Sequence, residues 1–284
     1  MTGKNHSEVY LLSPLPFQGQ KRAFVKQFRE ALTECVSAKP IHTVVDLFGG
    51  SGLLSHTAKR MYPGLNVIYN DYDDFHVRIE NIPRTNEIFA RIRPILKGIP
   101  DKARLSDKLK GEILKVIREY DEAGFVDYIT LSTSLLFSSH YVTNWTELEK
   151  ESFYNRVRQT PVCADGYLDG LVIVKHDYFK LFSRYKHDPG VLFLVDPPYL
   201  STDVKSYRSA EYWRLRDYMK VLLVLKSNYI FFTSEKSRLV DLCEWLADNP
   251  DFENPFRNAV LKTTRNQVNY SASYQDMMLY NIGK

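Results

Sequence analysis

Cysteine is scarce in this chain of 284 residues, and Cys35, Cys163 and Cys243 lie far apart. An odd set of widely spaced thiols builds neither a disulfide framework nor a paired-cysteine zinc site, so we expect a cytoplasmic protein in a reducing compartment. Long apolar runs are missing as well. No stretch approaches the ~20 residues of a membrane span, and Met1 to Val9 is polar where a secretory leader would turn apolar, so no membrane is expected as a partner. No Gly-Lys-Ser/Thr follows any glycine turn, which excludes a Walker phosphate loop. The Pro-Cys-x-x-Cys of the zinc deaminases is also absent, and the seven histidines show no ligand spacing, so no metal is expected. Charge of one sign is lacking overall, with 38 Lys+Arg against 34 Asp+Glu.

What is present is an ordinary globular composition, 44% apolar, long enough for one large α/β domain or for one carrying an insertion. An amphipathic helix is predicted over Lys21 to Cys35, from Phe24, Val25, Phe28, Ala31 and Leu32 at helical spacing. Thr43 to Phe48 then reads as a strand, Gly49-Gly50-Ser51-Gly52 as a turn, and Leu53 to Met61 as a helix, the opening of a Rossmann-like unit. Leu65 to Asp71 is a second strand with an acid at its carboxyl end. From Phe75 the alternation stops. Helical periodicity covers Ile79 to Leu96 and Leu105 to Tyr120, followed by a Ser/Thr-rich stretch and by Trp145 to Val157. Strands resume at Leu171 to Lys175, Gly190 to Asp196 and Asn228 to Thr233, with a helix over Glu211 to Lys226. The tail from Arg257 to Ile282 offers two more strands, the better one at Met277 to Ile282. We therefore expect an α/β fold, a Rossmann-like sheet with helices on both faces formed by 1–74 and 167–284, and a mostly helical insertion at 75–166.

Within the insertion, Phe75 to Arg118 holds 11 Lys+Arg against 5 Asp+Glu. Such a stretch is either a solvated helical face or a footprint for nucleic-acid phosphates, with Arg84, Arg91, Arg93 and Lys97 as the candidate contacts.

The most informative residues are Asp196-Pro197-Pro198-Tyr199, directly after the apolar run Val191 to Val195. Two prolines stop the strand and fix the backbone at its carboxyl end. Asp196 and the Pro197 carbonyl then present two acceptors to one amino group, and Tyr199 offers a ring face to a flat heterocycle. Tyr207, Tyr212 and Trp213 follow closely, as core or as further lining of a groove for a base. In the glycine turn, Gly50 and Gly52 permit close backbone approach, and the amides at the helix start favour a carboxylate. NAD enzymes use a similar turn, but the third glycine of their fingerprint falls here at Ser55.

Together these motifs resemble the DNA adenine N6-methyltransferases of the Dam type, which use S-adenosyl-L-methionine. Phe17-Gln18-Gly19-Gln20-Lys21 is similar to that family's amino-terminal cofactor motif, although Gln20 stands where the family usually has glycine. Asp46, Phe48, Gly50 and Gly52 match its loop around the methionine part of the cofactor. Asp71 matches its ribose-binding acid, and Asp177-Tyr178 its pair on the cofactor adenine. The insertion falls where the family keeps its target-recognition domain. The resemblance implies a catalytic Asp196, Pro197 and Tyr199, with Asp196 also against the cofactor and Lys21 tying the Asp196 loop to the cofactor end. It further implies double-stranded DNA as partner, base flipping, a monomer, and either a solitary enzyme or one beside a separate restriction endonuclease. Cytosine N4 methylation on the same scaffold and a catalytically silent DNA-binding module are the alternatives, and Asp196, in place of the serine commoner in the cytosine enzymes, favours adenine.

Overall fold

A computed structural model describes residues 9–137, 140–198, 215–235, 237, 239–248, 254–267 and 273–282. A single 3-10 turn, Arg22–Phe24, leads into α1 (Val25–Ala38), β1 (Thr43–Asp46), α2 (Leu53–Met61) and β2 (Asn66–Asn70). Next come α3 (Phe75–Glu80), α4 (Ile82–Ile95), α5 (Asp107–Glu122), α6 (Tyr128–Leu135) and the short α7 (Trp145–Leu148). The sheet resumes with β3 (Leu171–Val174), α8 (Tyr178–Tyr185), β4 (Val191–Val195), α9 (Leu215–Val224) and β5 (Tyr229–Ser234). It ends with α10 (Leu239–Ala247), β6 (Val260–Gln267) and β7 (Ser273–Asn281).

Within the described residues the chain divides into two compact units, one drawn from Met1–Ser13, Gly19–Asp73 and Gly166–Lys284, the other from Pro14–Gln18 and Asp74–Asp165. The first unit holds a seven-stranded sheet in the order β3-β2-β1-β4-β5-β7-β6. Strands β1 to β5 pair in parallel, and β7 runs antiparallel to both β5 and β6. Alternation along β4 shows how it is buried on both faces. Leu192 and Leu194 enter an apolar layer with Phe24, Phe28 and Leu32 of the α1 side, while Val191, Phe193 and Val195 enter the opposite layer with Phe182 and Val221. A strand covered on both faces reads as one continuous apolar run, which is what Val191 to Val195 is. Strand order through β5 is that of the dinucleotide-binding sheets, but an antiparallel β7 between β5 and β6 sets this one apart. The fold is Rossmann-like, an α/β sheet flanked by helices.

The second unit packs α4, α5 and α6 around Ile88, Phe89, Ile92, Ile113, Ile117, Leu131 and Leu135. Ser106 caps α5 by accepting from the Leu109 amide, and Asp127 caps α6 by accepting from the Thr130 amide. A helix was not legible in the Ser/Thr-rich stretch, yet α6 lies there. Its hydroxyls are satisfied within the helix: Ser132 Oγ donates to the Tyr128 carbonyl at 2.7 Å and Thr133 Oγ1 to the Thr130 carbonyl at 2.8 Å. Conversely, Trp145 to Val157 supplies only the turn α7. Beyond it Phe153 and Tyr154 run extended, the Phe153 carbonyl accepting from the Leu105 amide and the Tyr154 amide donating to Leu135. Residues 14–18 join this unit through Arg78, which donates to the Pro16 carbonyl at 2.9 Å and pairs with buried Asp127 at 3.0 Å. Among the described residues, no helix is long and apolar enough to cross a membrane.

Candidate active site

Strands leaving β1 proceed through β2 to β3 on one side, and β4 to β5 lie on the other, so the carboxyl ends of β1 and β4 flank the point where the sheet changes direction. Open α/β sheets bind ligands at that place. The glycine turn follows β1 and the Asp-Pro-Pro segment follows β4, with Asp46 in register with Leu194.

The turn is shaped by contact. A Cβ at Gly49 would come within 2.3 Å of the Tyr69 ring and 2.9 Å of the Asn70 carbonyl, so a larger residue would displace the end of β2. Gly52 precedes α2 with φ of +73°, a left-handed conformation that favours glycine. The Tyr69 hydroxyl donates to the Gly50 carbonyl at 2.7 Å, and the Tyr167 hydroxyl to the Ser51 carbonyl at 2.9 Å. Tyr167 in turn stacks on His56 of α2 at 4.8 Å, and its carbonyl lies 2.7 Å from His56 Nδ1. His56 Nε2 accepts from the Tyr10 amide, so the ring is the neutral Nδ1–H form, in line with a pKa lowered by burial.

Asp46 closes β1 and is buried. Its Oδ2 accepts from Ser55 Oγ at 2.7 Å, while among the described residues Oδ1 has no hydrogen-bond partner. Burial raises its pKa to about 7, the Ser55 bond opposing and the Asp196 charge adding to the rise. Ser55, the position where a dinucleotide fingerprint would have its third glycine, is thus engaged with the β1 carboxylate. Asn70 joins three strand ends: its Nδ2 donates to the Leu47 and His176 carbonyls, each at 2.9 Å, and its Oδ1 accepts from the His176 amide at 2.9 Å. The next residue, Asp71, is buried at the carboxyl end of β2 beside Tyr69, whose pKa rises mainly from burial and further from Asp71.

After β3, exposed Asp177 caps α8, Oδ1 accepting from the Lys180 amide at 2.9 Å. Tyr178 packs against Phe48 with ring centroids 4.9 Å apart, and its hydroxyl donates to the Asp217 carbonyl at 3.0 Å. The first unit therefore brings Asp46, Phe48, Gly50, Gly52, Asp71, Asp177, Tyr178 and Asp196 to the carboxyl edge of one sheet.

Lys21 reaches that edge from the start of α1. Its ammonium lies 2.6 Å from Asp196 Oδ2 and donates to the Gly19 carbonyl at 2.7 Å. Gln20 does not obstruct it, because Gln20 Oε1 turns away to accept from the Ser13 amide at 3.1 Å. Burial pushes the Asp196 carboxyl up to about 6 against the pull of Lys21, and Asp276 adds to the rise. Pro197 is buried, and the Pro198 carbonyl accepts from the Tyr218 hydroxyl of α9, which anchors the loop from a position no local motif marked. Tyr199, Tyr207, Tyr212 and Trp213 lie outside the described residues.

Other expected residues stand elsewhere. Phe17 belongs to the helical unit, edge-on to Phe75 at 5.7 Å. Arg84 donates to the Phe125 carbonyl at 2.8 Å and the Tyr120 carbonyl at 2.6 Å, its guanidinium lying over the Tyr120 ring. Arg91 pairs with Glu119 at 2.6 Å, Arg93 donates to the Arg158 carbonyl at 3.1 Å, and Lys97 is exposed.

The residues present fit a nucleoside cofactor with a charged amino-acid tail. Asp46 Oδ1 awaits a donor, and the amides at the start of α2 suit a carboxylate. This is the architecture of a Rossmann-like methyltransferase. A protein of Haemophilus influenzae named "Putative methyltransferase" is 37% identical over 283 residues, covering 97% of this chain and 94% of its relative. No family model matches the chain. Similarity of that degree and extent places the chain in the same methyltransferase family as that relative.

Proposed function

We propose that the protein transfers the methyl group of S-adenosyl-L-methionine to the N6 amino group of adenine in DNA. One observation carries the reading: the Lys21–Asp196 pair, at 2.6 Å, sits at the head of a Pro-Pro loop beside the glycine turn. The cofactor supplies a sulfonium-activated methyl group. Every other step falls to the chain.

Gly49 to Gly52 admit the tail of the cofactor, Asp71 accepts from its ribose hydroxyls, and Phe48 with Tyr178 covers its base. An adenine turned out of the duplex, at a cost of a few kcal/mol, stacks on Tyr199. Asp196 and the Pro197 carbonyl accept the two amino hydrogens, drawing the nitrogen lone pair out of conjugation with the ring and aligning it for attack. Lys21 fixes the Asp196 carboxylate and keeps it ionised at neutral pH despite its burial. The helical unit supplies the DNA contacts, with exposed Lys97 as the first candidate, since Arg91, also exposed, is paired with Glu119.

The test is direct. Wild type and Asp196→Ala are incubated with S-adenosyl-L-methionine and unmethylated DNA, the DNA is digested, and nucleosides are identified by mass. N6-methyladenine from the wild type alone is the expected result. N4-methylcytosine would overturn the base assignment, and no modified base, with cofactor binding shown separately, would overturn DNA methylation itself.

A further inference from the structure

Asp276 lies on β7, far in sequence from every motif above, yet strand parity brings it to the same edge and face. On that face Leu192 and Leu194 of β4, Phe232 of β5 and Met278 of β7 share an apolar layer with Phe24 and Phe28. Side chains two residues apart on a strand share a face. Asp196 continues the row of Leu192 and Leu194, just past the end of β4. Ser234 continues from Phe232, and Asp276 continues from Met278, with Phe232 paired to Met278 and Ser234 paired to Asp276. Asp276 is thus a diagonal neighbour of Phe232, a relation that separates residues by about 7–8 Å across a sheet. The Lys21 ammonium stands over that Phe232 ring, 6.0 Å from its centroid. From the far side, α1 reaches the strand flanking Asp276. Gln27 Nε2 donates to Thr264 Oγ1 at 3.3 Å, and Thr264 is the register partner of Asp276 on β6.

We propose that Asp276 is a positioning residue of the methyl-transfer site, a second carboxylate that faces the Lys21–Asp196 pair across the sheet edge and controls how firmly Lys21 holds Asp196. The proposal rests on the reading of Asp196 as the acceptor for the target amine. One ammonium facing two carboxylates divides its pull between them, so that the ionisation of Asp196 depends on Asp276. The charge on Asp276 works in the same direction as burial, making Asp196 easier to protonate, while Lys21 works against both. Other groups around Asp196 are Asp46 from β1 and the Tyr218 hydroxyl from α9; Ser234 on β5 carries no charge. Around Asp276 the neighbouring charged positions are Glu235, following β5, and Arg265, following Thr264 on β6.

Titration of the Asp196 carboxyl by carbon-13 NMR, assigned with Asp196→Asn, tests this without any substrate. In Asp276→Asn the Asp196 midpoint should fall by about half a unit or more, since a like charge has been removed. Asp276→Glu should restore it, and Asp276→Ser serves if the amide disturbs the strand. In the methylation assay the acid limb of kcat/KM should move to lower pH by the same amount. An Asp196 midpoint unmoved in a folded Asp276→Asn or Asp276→Ser protein would overturn the proposal. A shifted midpoint in a protein that methylates no DNA would uphold the coupling of the three side chains and overturn the function assigned to them.

Discussion

The sheet unit and the helical unit both carry charged residues that stand out in the sequence, and the structure treats them in opposite ways. At the sheet edge, Lys21, Asp46 and Asp196 are brought in from three distant segments to one cluster, where Lys21 eases the ionisation of both carboxyls and the Asp196 charge opposes that of Asp46. In the helical unit, Arg84 and Arg93 are engaged with backbone carbonyls and Arg91 with Glu119. Charge density along a segment says little about where charge is available, because an arginine that closes a loop and one that meets a phosphate look alike in composition. A carboxylate fixed by two prolines at the end of an apolar strand has only one place to go.

That contrast can be broken or sharpened by substitution. The largest effect is expected from Asp196→Ala, a loss of methyl transfer of about 10³-fold or more with folding and cofactor affinity retained, because the acceptor acts chiefly in the transition state. Equilibrium cofactor binding beside single-turnover rates checks it. Lys21→Gln should lower kcat by about 10-fold to 100-fold, since it acts through Asp196. Without its cation the Asp196 carboxyl holds its proton to higher pH, so the acid limb of the profile, expected near the wild-type value of about 6, should move upward.

In the helical unit the expectation reverses. Arg84→Ala should cost about 2 kcal/mol of stability through two unmade carbonyl acceptors, whereas Lys97→Ala should stay within about 0.5 kcal/mol. Urea unfolding reads the first. For the second, the slope of DNA affinity against salt should flatten by about one, and an unchanged slope would remove Lys97 from the DNA contacts.

The remaining effect concerns Asp46 and shows only as a dependence on pH. Its folded carboxyl is raised to about 7, so its contribution to stability is fully present below the unfolded value near 4 and is lost as pH rises through 7. Asp46→Asn has no such loss. In the cofactor-free protein its stability relative to wild type should therefore be greater at pH 8 than at pH 5, by on the order of 1 kcal/mol, as denaturant midpoints at the two pH values will show.

Much of the sheet was legible because its signals are local. Val191 to Val195 with two prolines after it, and Thr43 to Phe48 with glycines after it, announce their own ends. Asp71 was legible as an acid closing an apolar strand. Asn70, Tyr218 and Gly49 were not, because what they do depends on segments far away: Asn70 reaches His176, and Tyr218 reaches Pro198. The last two strands read weakly for a related reason. β6 is an edge strand whose exposed Val260 and Leu261 leave little alternation to follow, and β7 owes its position to pairing with β5. In α6, hydroxyls bonded within the helix hid a buried segment behind a polar composition.

Residues 14–18 pack with the helical unit, whereas the chain on either side of them belongs to the sheet unit. The boundary is therefore crossed four times, and no single cut pair frees the helices intact. Exchanging the helical unit between relatives would require transplanting two pieces together, Pro14–Gln18 and Asp74–Asp165. A graft carrying only the second would leave Arg78 without the Pro16 carbonyl and Phe75 without the edge of Phe17. Whatever the helical unit does, such chimaeras would carry it over intact only with the five residues Pro14–Gln18.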